Sequence, residues 1–157
     1  MRKVPVSFHA EVTQRFQFLV DHGFDGPEYS DDLLPGARYG GAGLTIWIIF
    51  NDDTHDSAGR QISVSIRLDT TAGFAKADLD EVVEAAVFAP RHRVARKAHS
   101  GDALRATLDD NAMWIRRLLP ILRGPGALET IRKATQWETD RRGNPKRRPK
   151  NINWRYG

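Results

Sequence analysis

The sequence predicts an α+β fold: an antiparallel sheet of three to five strands with helices packed on one face, plus a basic C-terminal extension. Three observations point there. Residues 44–50 and 62–68 are apolar at alternating positions, the period of a strand. Segments before and after them carry apolar residues at three- and four-residue intervals, the period of a helix covering a core. From residue 139 onward apolar content falls and cations accumulate, which divides the chain into a single domain, 1–138, and an extension, 139–157.

The first helix is expected from Ser7, a good N-cap residue. Phe8, Val12, Phe16, Leu19 and Val20 lie along one stripe, while Glu11, Gln14, Arg15 and Gln17 face elsewhere. Gly23 is a helix stop, and Phe24 behind it can fold back on the last turn as the apolar contact of a Schellman cap. Residues 25–43 are rich in Gly and Pro and read as irregular, except for a short strand within 34–39 pairing with the hairpin as an edge.

The hairpin spans 44–68. Leu44, Ile46, Ile48 and Phe50 share one face of its first strand, and Ile62, Val64, Ile66 and Leu68 share one face of its second. Thr45, Trp47, Ile49, Ser63, Ser65 and Arg67 fall on the opposite face. The connection holds Asp52, Asp53, Asp56, Ser57 and Gly59, which is turn chemistry. Two strands alone are marginal in water, so at least a third is required on physical grounds.

Beyond the hairpin, Asp78 can cap a short helix with an apolar stripe of Leu79, Val82, Val83, Ala86 and Val87, ended by Pro90. Residues 91–100 form a basic connection. The longest helix is expected over 102–119, with Ser100 near its start and Leu104, Leu108, Ala112, Ile115, Leu118, Leu119 and Leu122 on its buried side. Pro120 lacks the amide donor of a helix interior, which predicts a kink or an early end. Gly124-Pro125-Gly126 breaks the chain, and Leu128, Ile131 and Ala134 mark a last amphipathic helix ending near Trp137.

Composition restricts the chemistry. The chain has 157 residues, enough for one domain with a real core. It has no cysteine, which excludes disulfides, thiolate metal sites and cysteine nucleophiles. Arg2 and Lys3 have the charge of a secretory leader, but the apolar run of about 7–15 residues that such a leader needs does not follow. No stretch reaches the roughly 18 apolar residues of a membrane span, so no membrane partner is expected and a reducing cytoplasm is the expected location. The net charge of +4 is uneven. Residues 139–157 hold Arg141, Arg142, Lys146, Arg147, Arg148, Lys150 and Arg155 against Asp140 alone, a net +6, leaving −2 for the first 138 residues.

No catalytic constellation emerges, and the sequence calls for no cofactor and no metal. The acidic run Asp52-Asp53-Thr54-His55-Asp56 suggests a cation loop, but Ser57 stands where the sharp-turn glycine belongs and Ser63 where the closing glutamate belongs. The five histidines, His9, His22, His55, His92 and His99, lack zinc-site spacing. Gly40-Gly41-Ala42-Gly43 precedes a strand, and Gly124-Pro125-Gly126 is not followed by Lys-Ser or Lys-Thr, so neither reads as a phosphate-binding loop. Asp109 and Asp110 are neighbours on a helix and diverge by about 100°, wrong for a cooperating acid pair. No serine sits in a nucleophile-elbow sequence.

Two surfaces remain. Trp47 and Ile49 point away from the core set of their strand and need cover, which makes them the expected contact of a protein partner or of self-association. The alternative is nucleic-acid binding through the extension, where Arg141, Arg142, Lys146, Arg147, Arg148, Lys150 and Arg155 offer cations for phosphates. Trp154 and Tyr156 offer rings for stacking bases there. A basic extension docked on its own domain or on another subunit is the competing explanation of the same residues, and a hydrolase or nuclease with a site assembled from scattered residues is the third reading.

The run Phe16-Gln17-Phe18-Leu19-Val20-Asp21-His22-Gly23-Phe24, then Ala37-Arg38-Tyr39 and the two hairpin strands, carries a resemblance. It resembles a loose group of small, mostly uncharacterised bacterial proteins with a phenylalanine-rich helix ending in Gly-Phe before a sheet. Some of these are similar to immunity proteins that neutralise polymorphic toxins. The resemblance covers residues 8–122 and rests on apolar pattern; it implies an α+β fold and a non-catalytic protein-binding role. The basic extension departs from it.

Overall fold

The computed structural model describes residues 6–30, 34–51 and 60–135, together with the short strands at 138–139 and 145–146. Five strands, β1 (Asp25–Ser30), β2 (Gly36–Gly41), β3 (Leu44–Asn51), β4 (Gln61–Thr70) and β5 (Gly73–Asp78), form one antiparallel sheet in sequence order. The helices α1 (Val6–Arg15), α2 (Gln17–Asp21), α3 (Leu79–Ala85), α4 (Gly101–Leu122) and α5 (Ala127–Ala134) pack against it.

The β3–β4 hairpin is the centre of the sheet, as its alternation predicts. Its register pairs Ile46 with Ile66 and Ile48 with Val64, and all four side chains are buried in the core. Full burial of such a side chain is worth about 1.5–3 kcal/mol, so this layer alone strongly disfavours a one-residue slip, which would turn all of it to water. Ala37 and Tyr39 on β2, and Ala75 and Ala77 on β5, extend the same face sideways. The long helix α4 covers it with Leu104, Leu108, Ala112, Ile115, Leu118, Leu119 and Leu122, all buried.

Several ends form as their residues dictate. The Gly23 amide donates to Val20 and the Phe24 amide to Leu19, the two bonds of a Schellman cap, with Gly23 at φ +92° and Phe24 buried. Ser100 caps α4 by accepting the Ala103 amide at 3.1 Å. Asp78 is the N-cap of α3, and its amide donates to Glu81 Oε1 at 3.0 Å.

Other expectations are corrected. The first helix is broken at Phe16, whose backbone (φ −105°, ψ 14°) leaves the helical region; Ser7 lies within α1 and is not its cap. The strand expected at the edge is β2, and it lies inside the sheet, because the segment read as irregular contributes an edge strand, β1. β5 is an additional strand. The helix after it stops at Ala85, five residues before Pro90, through a Schellman-type turn with Val87 at φ +63°. α4 does not end at Pro120 but runs on to Leu122: the proline forfeits only its own amide bond, and the buried Leu118, Leu119 and Leu122 hold the last turn against the core.

β5 pairs only with the second half of β4. The first half is met by the 96–98 segment, where the Ile62 amide donates to the Arg96 carbonyl at 2.7 Å and the Ala98 amide to the Arg60 carbonyl at 3.0 Å. Three α4 side chains hold that segment. Asp110 accepts the Ala95 amide at 2.8 Å, Asn111 donates to the Ala95 carbonyl at 3.0 Å, and Thr107 donates to the Lys97 carbonyl at 2.6 Å. Asp109 instead faces Arg15 of α1 at 2.8 Å, so the two adjacent carboxylates serve different partners, as their divergence predicts.

Candidate protein-binding face

Because strand side chains alternate, every residue that does not enter the core from β2 to β5 stands on the opposite face of the sheet. Three cross-strand rows build that outer face. The middle row runs Glu28, Arg38, Trp47, Ser65, Asp78; one neighbour runs Thr45, Arg67, Lys76, and the other Gly36, Ile49, Ser63. Trp47 is 38% exposed at the centre, Ile49 is half-buried beside it, and Phe74 is 58% exposed near the start of β5. The two residues expected to contact a protein are therefore brought together on one surface. Phe74 joins them unexpectedly, since β5 has only alanines at its core positions and shows no apolar alternation to announce a strand.

The polar groups of this face balance. Arg38 and Glu28 meet at 2.6 Å across β1 and β2, and Arg67 binds Asp69 with Nη2 and Oδ1 3.0 Å apart. The Arg67 guanidinium also lies over the Phe74 ring, 4.3 Å from its centroid. The hydrogen bond to Arg67 holds the Asp69 carboxyl below its usual range. Arg38, Arg67 and Lys76 thus face Glu28, Asp69 and Asp78, and exposed aromatic surface is set among charges of both signs. Arg67 and Lys76 are nonetheless directly opposite one another, a like-charged pair that disfavours the bare sheet.

No family model matches the chain, and neither a curated protein nor a solved structure shows significant similarity to it.

A second cluster lies where β5 turns into α3. Asp78, Asp80 and Glu81 present carboxylate oxygens within 4.8 Å of one another, the only such group among the described residues able to surround a cation. Burial raises the Asp78 carboxyl above its usual range, reinforced by Asp80, and burial likewise raises Glu81. Arginines already answer this charge: Arg96 approaches Asp80 at 3.8 Å, and Arg91 approaches Glu81 at 3.8 Å and Glu84 at 3.1 Å. Beside it, in the gap between β5 and the 96–98 segment, is a cavity of about 10 Å³ lined by Ser63, Val64, Asp80, Val94 and Asn111. That is room for about one water, far below the roughly 300 Å³ at which ligand pockets begin.

His9 stacks on Tyr29 with centroids 4.1 Å apart, and His22 Nδ1 lies 2.6 Å from the Phe18 carbonyl. His92 and His99 are exposed, and no described histidine belongs to a group with metal-site geometry. The acidic run at 52–56, including His55, lies outside the described residues. So do Arg141, Arg142, Arg147, Arg148, Lys150, Trp154, Arg155 and Tyr156. Of the extension, the backbone of Pro145–Lys146 pairs antiparallel with Glu138–Thr139. No helix among the described residues is long and apolar enough to cross a membrane.

Proposed function

We propose that the chain is a non-catalytic protein-binding module, similar in role to an immunity protein, which holds its partner with the outer face of the sheet. The observation that carries this reading is Trp47, exposed at the centre of a five-stranded face that no described helix covers. Tryptophan is a preferred anchor of protein interfaces, and a face with apolar centre and charges of both signs around it suits a protein surface better than a uniformly anionic polymer.

Association is the test. Affinity capture with the full chain and with Trp47→Arg, each checked for folding by circular dichroism, should recover a partner that the variant loses. A wild-type chain that is strictly monomeric in sedimentation velocity and retains no partner ends the proposal.

A second reading rests on the +6 charge of residues 139–157 and on Trp154 and Tyr156 within it. Nucleic-acid binding there predicts affinity that falls steeply with salt and that depends on Arg141, Arg142, Arg147 and Arg148. Absence of binding to single- or double-stranded nucleic acid at low salt removes it.

A further inference from the structure

On the helix side of the molecule, away from the outer face, the surface of α4 changes character along its length. Its first half carries Asp102, Asp109 and Asp110, whereas residues 111–128 hold Arg116, Arg117 and Arg123 and no acidic residue. Arg15, Arg38, Arg67, Arg91, Arg96 and Arg105 each hold a carboxylate. Arg116, Arg117 and Arg123 form no ion pair with any described residue.

Each is placed on aromatic surface instead. The Arg116 guanidinium lies 4.3 Å from the Phe18 centroid and that of Arg123 4.7 Å from Phe24. Arg117 lies 5.3 Å from the Trp114 ring and 5.9 Å from Phe88. Arg123 also donates to the His22 carbonyl at 2.6 Å. A guanidinium held over a ring keeps its charge, and its N–H groups not engaged elsewhere stay available to an oxygen anion.

The helix C-terminus explains a cation at Arg123, but dipole effects fade within the last turn, and Arg116 stands nearly two turns earlier. Arg116 and Arg123 are separated by seven residues, about 10.5 Å along the helix axis, with Arg117 about 100° round from Arg116. Projected on the axis of a duplex, where phosphates rise by about 3.4 Å per strand, that separation spans about three phosphates.

We propose that Arg116, Arg117 and Arg123 form a sequence-independent contact for the phosphodiester backbone of nucleic acid. Seven further cations follow in the sequence of residues 139–157, and a polymer of uniform negative charge is the ligand that suits so cationic a C-terminal third. The surface is separate from the outer face and stands whether or not Trp47 anchors a protein.

The test is fluorescence anisotropy of the full chain with a labelled duplex of mixed sequence, titrated with salt. Each phosphate neutralised contributes about 0.9 to the slope of log affinity against log salt, so R116Q/R117Q/R123Q should lower the slope by about 2–3. It should also weaken binding at least about tenfold at about 50 mM salt. Should that variant fail to fold, two-dimensional NMR of the arginine Nε–H groups in the wild-type chain decides, with the signals of Arg116, Arg117 and Arg123 shifting on addition of duplex. No duplex binding, an unchanged slope in the variant, or shifts confined to arginines of 139–157 would overturn the proposal. So would deca-glutamate shifting the three signals where the duplex does not, since the ligand would then be an acidic protein.

Discussion

The indole Nε1 of Trp47 lies 2.5 Å from where a Cβ on Gly36 would stand. The ring on β3 leans across its neighbour β2 and covers a bare stretch of backbone, so the exposed aromatic is seated on the sheet before any partner arrives. Glycine at 36 makes this seat. Gly36→Ala should lift the indole, costing no more than about 1 kcal/mol because an exposed side chain has room to move. Trp47 fluorescence, isolated by comparison with Trp47→Phe, should shift to the red; an unshifted spectrum would show that the seat does not hold the ring.

The turn between β2 and β3 places Ala42 at φ +52° and Gly43 at φ +83°, both positive as a two-residue hairpin of this hand requires. A Cβ on Gly43 would also stand 2.5 Å from the Asp69 carbonyl oxygen, a backbone atom that cannot easily yield. Gly43→Ala should therefore lower unfolding free energy by at least about 2 kcal/mol in denaturant titration. Gly40, three residues earlier, has open space at its Cβ position, and Gly40→Ala should stay within about 0.5 kcal/mol.

Val87 ends α3 in the left-handed region, where a β-branched side chain is disfavoured. Ala and Gly differ only by the β-carbon at this half-buried site, so the difference between the two variants reads mainly the backbone. Gly should be more stable than Ala by about 1 kcal/mol, the reverse of their order inside a helix. The reverse ranking in thermal unfolding would contradict the assigned conformation.

Burial, with Asp80 nearby, raises the Asp78 carboxyl above its ordinary 3.8. The folded chain thus holds this proton more readily than the unfolded chain, and the stability contributed by the group is complete below pH 3.8. It is lost as pH rises through the raised folded value. Asn caps a helix as well as Asp does. Because Asp78 is exposed and water screens its charge, Asp78→Asn should stabilise the chain at pH 7 by only a few tenths of a kcal/mol, about 0.5 at most, with the gain vanishing on acidification below the ordinary carboxylate range. A gain that persists at pH 3 would assign it to something other than charge.

The hairpin was legible because Ile46, Ile48, Val64 and Ile66 are large and alternate strictly. The same parity placed Trp47, Ile49 and Arg67 on the outer face. β5 was not legible, since Ala75 and Ala77 fill its core positions and alanine carries little periodic signal. β1 buries none of its side chains completely, as expected of an edge, and offers no pattern either. The break at Phe16 has no glycine or proline to mark it, and Pro120 suggested an end that tertiary packing of Leu118, Leu119 and Leu122 overrides. Phe74 was hidden with its strand. The pairing of Arg116 with Phe18 and of Arg123 with Phe24 joins residues about a hundred positions apart, beyond the reach of any local pattern.

The outer face is the surface on which the functional reading depends, and site-specific photocrosslinking probes it most directly. Benzoylphenylalanine placed at Ile49, beside Trp47, in the full chain expressed in cells should yield a discrete covalent adduct. The adduct should disappear when Trp47→Arg is added, and a probe at Ala106, exposed on α4, should not form it. An adduct that survives Trp47→Arg, or none from the Ile49 probe while the Ala106 probe captures the partner, would place binding elsewhere and contradict the account.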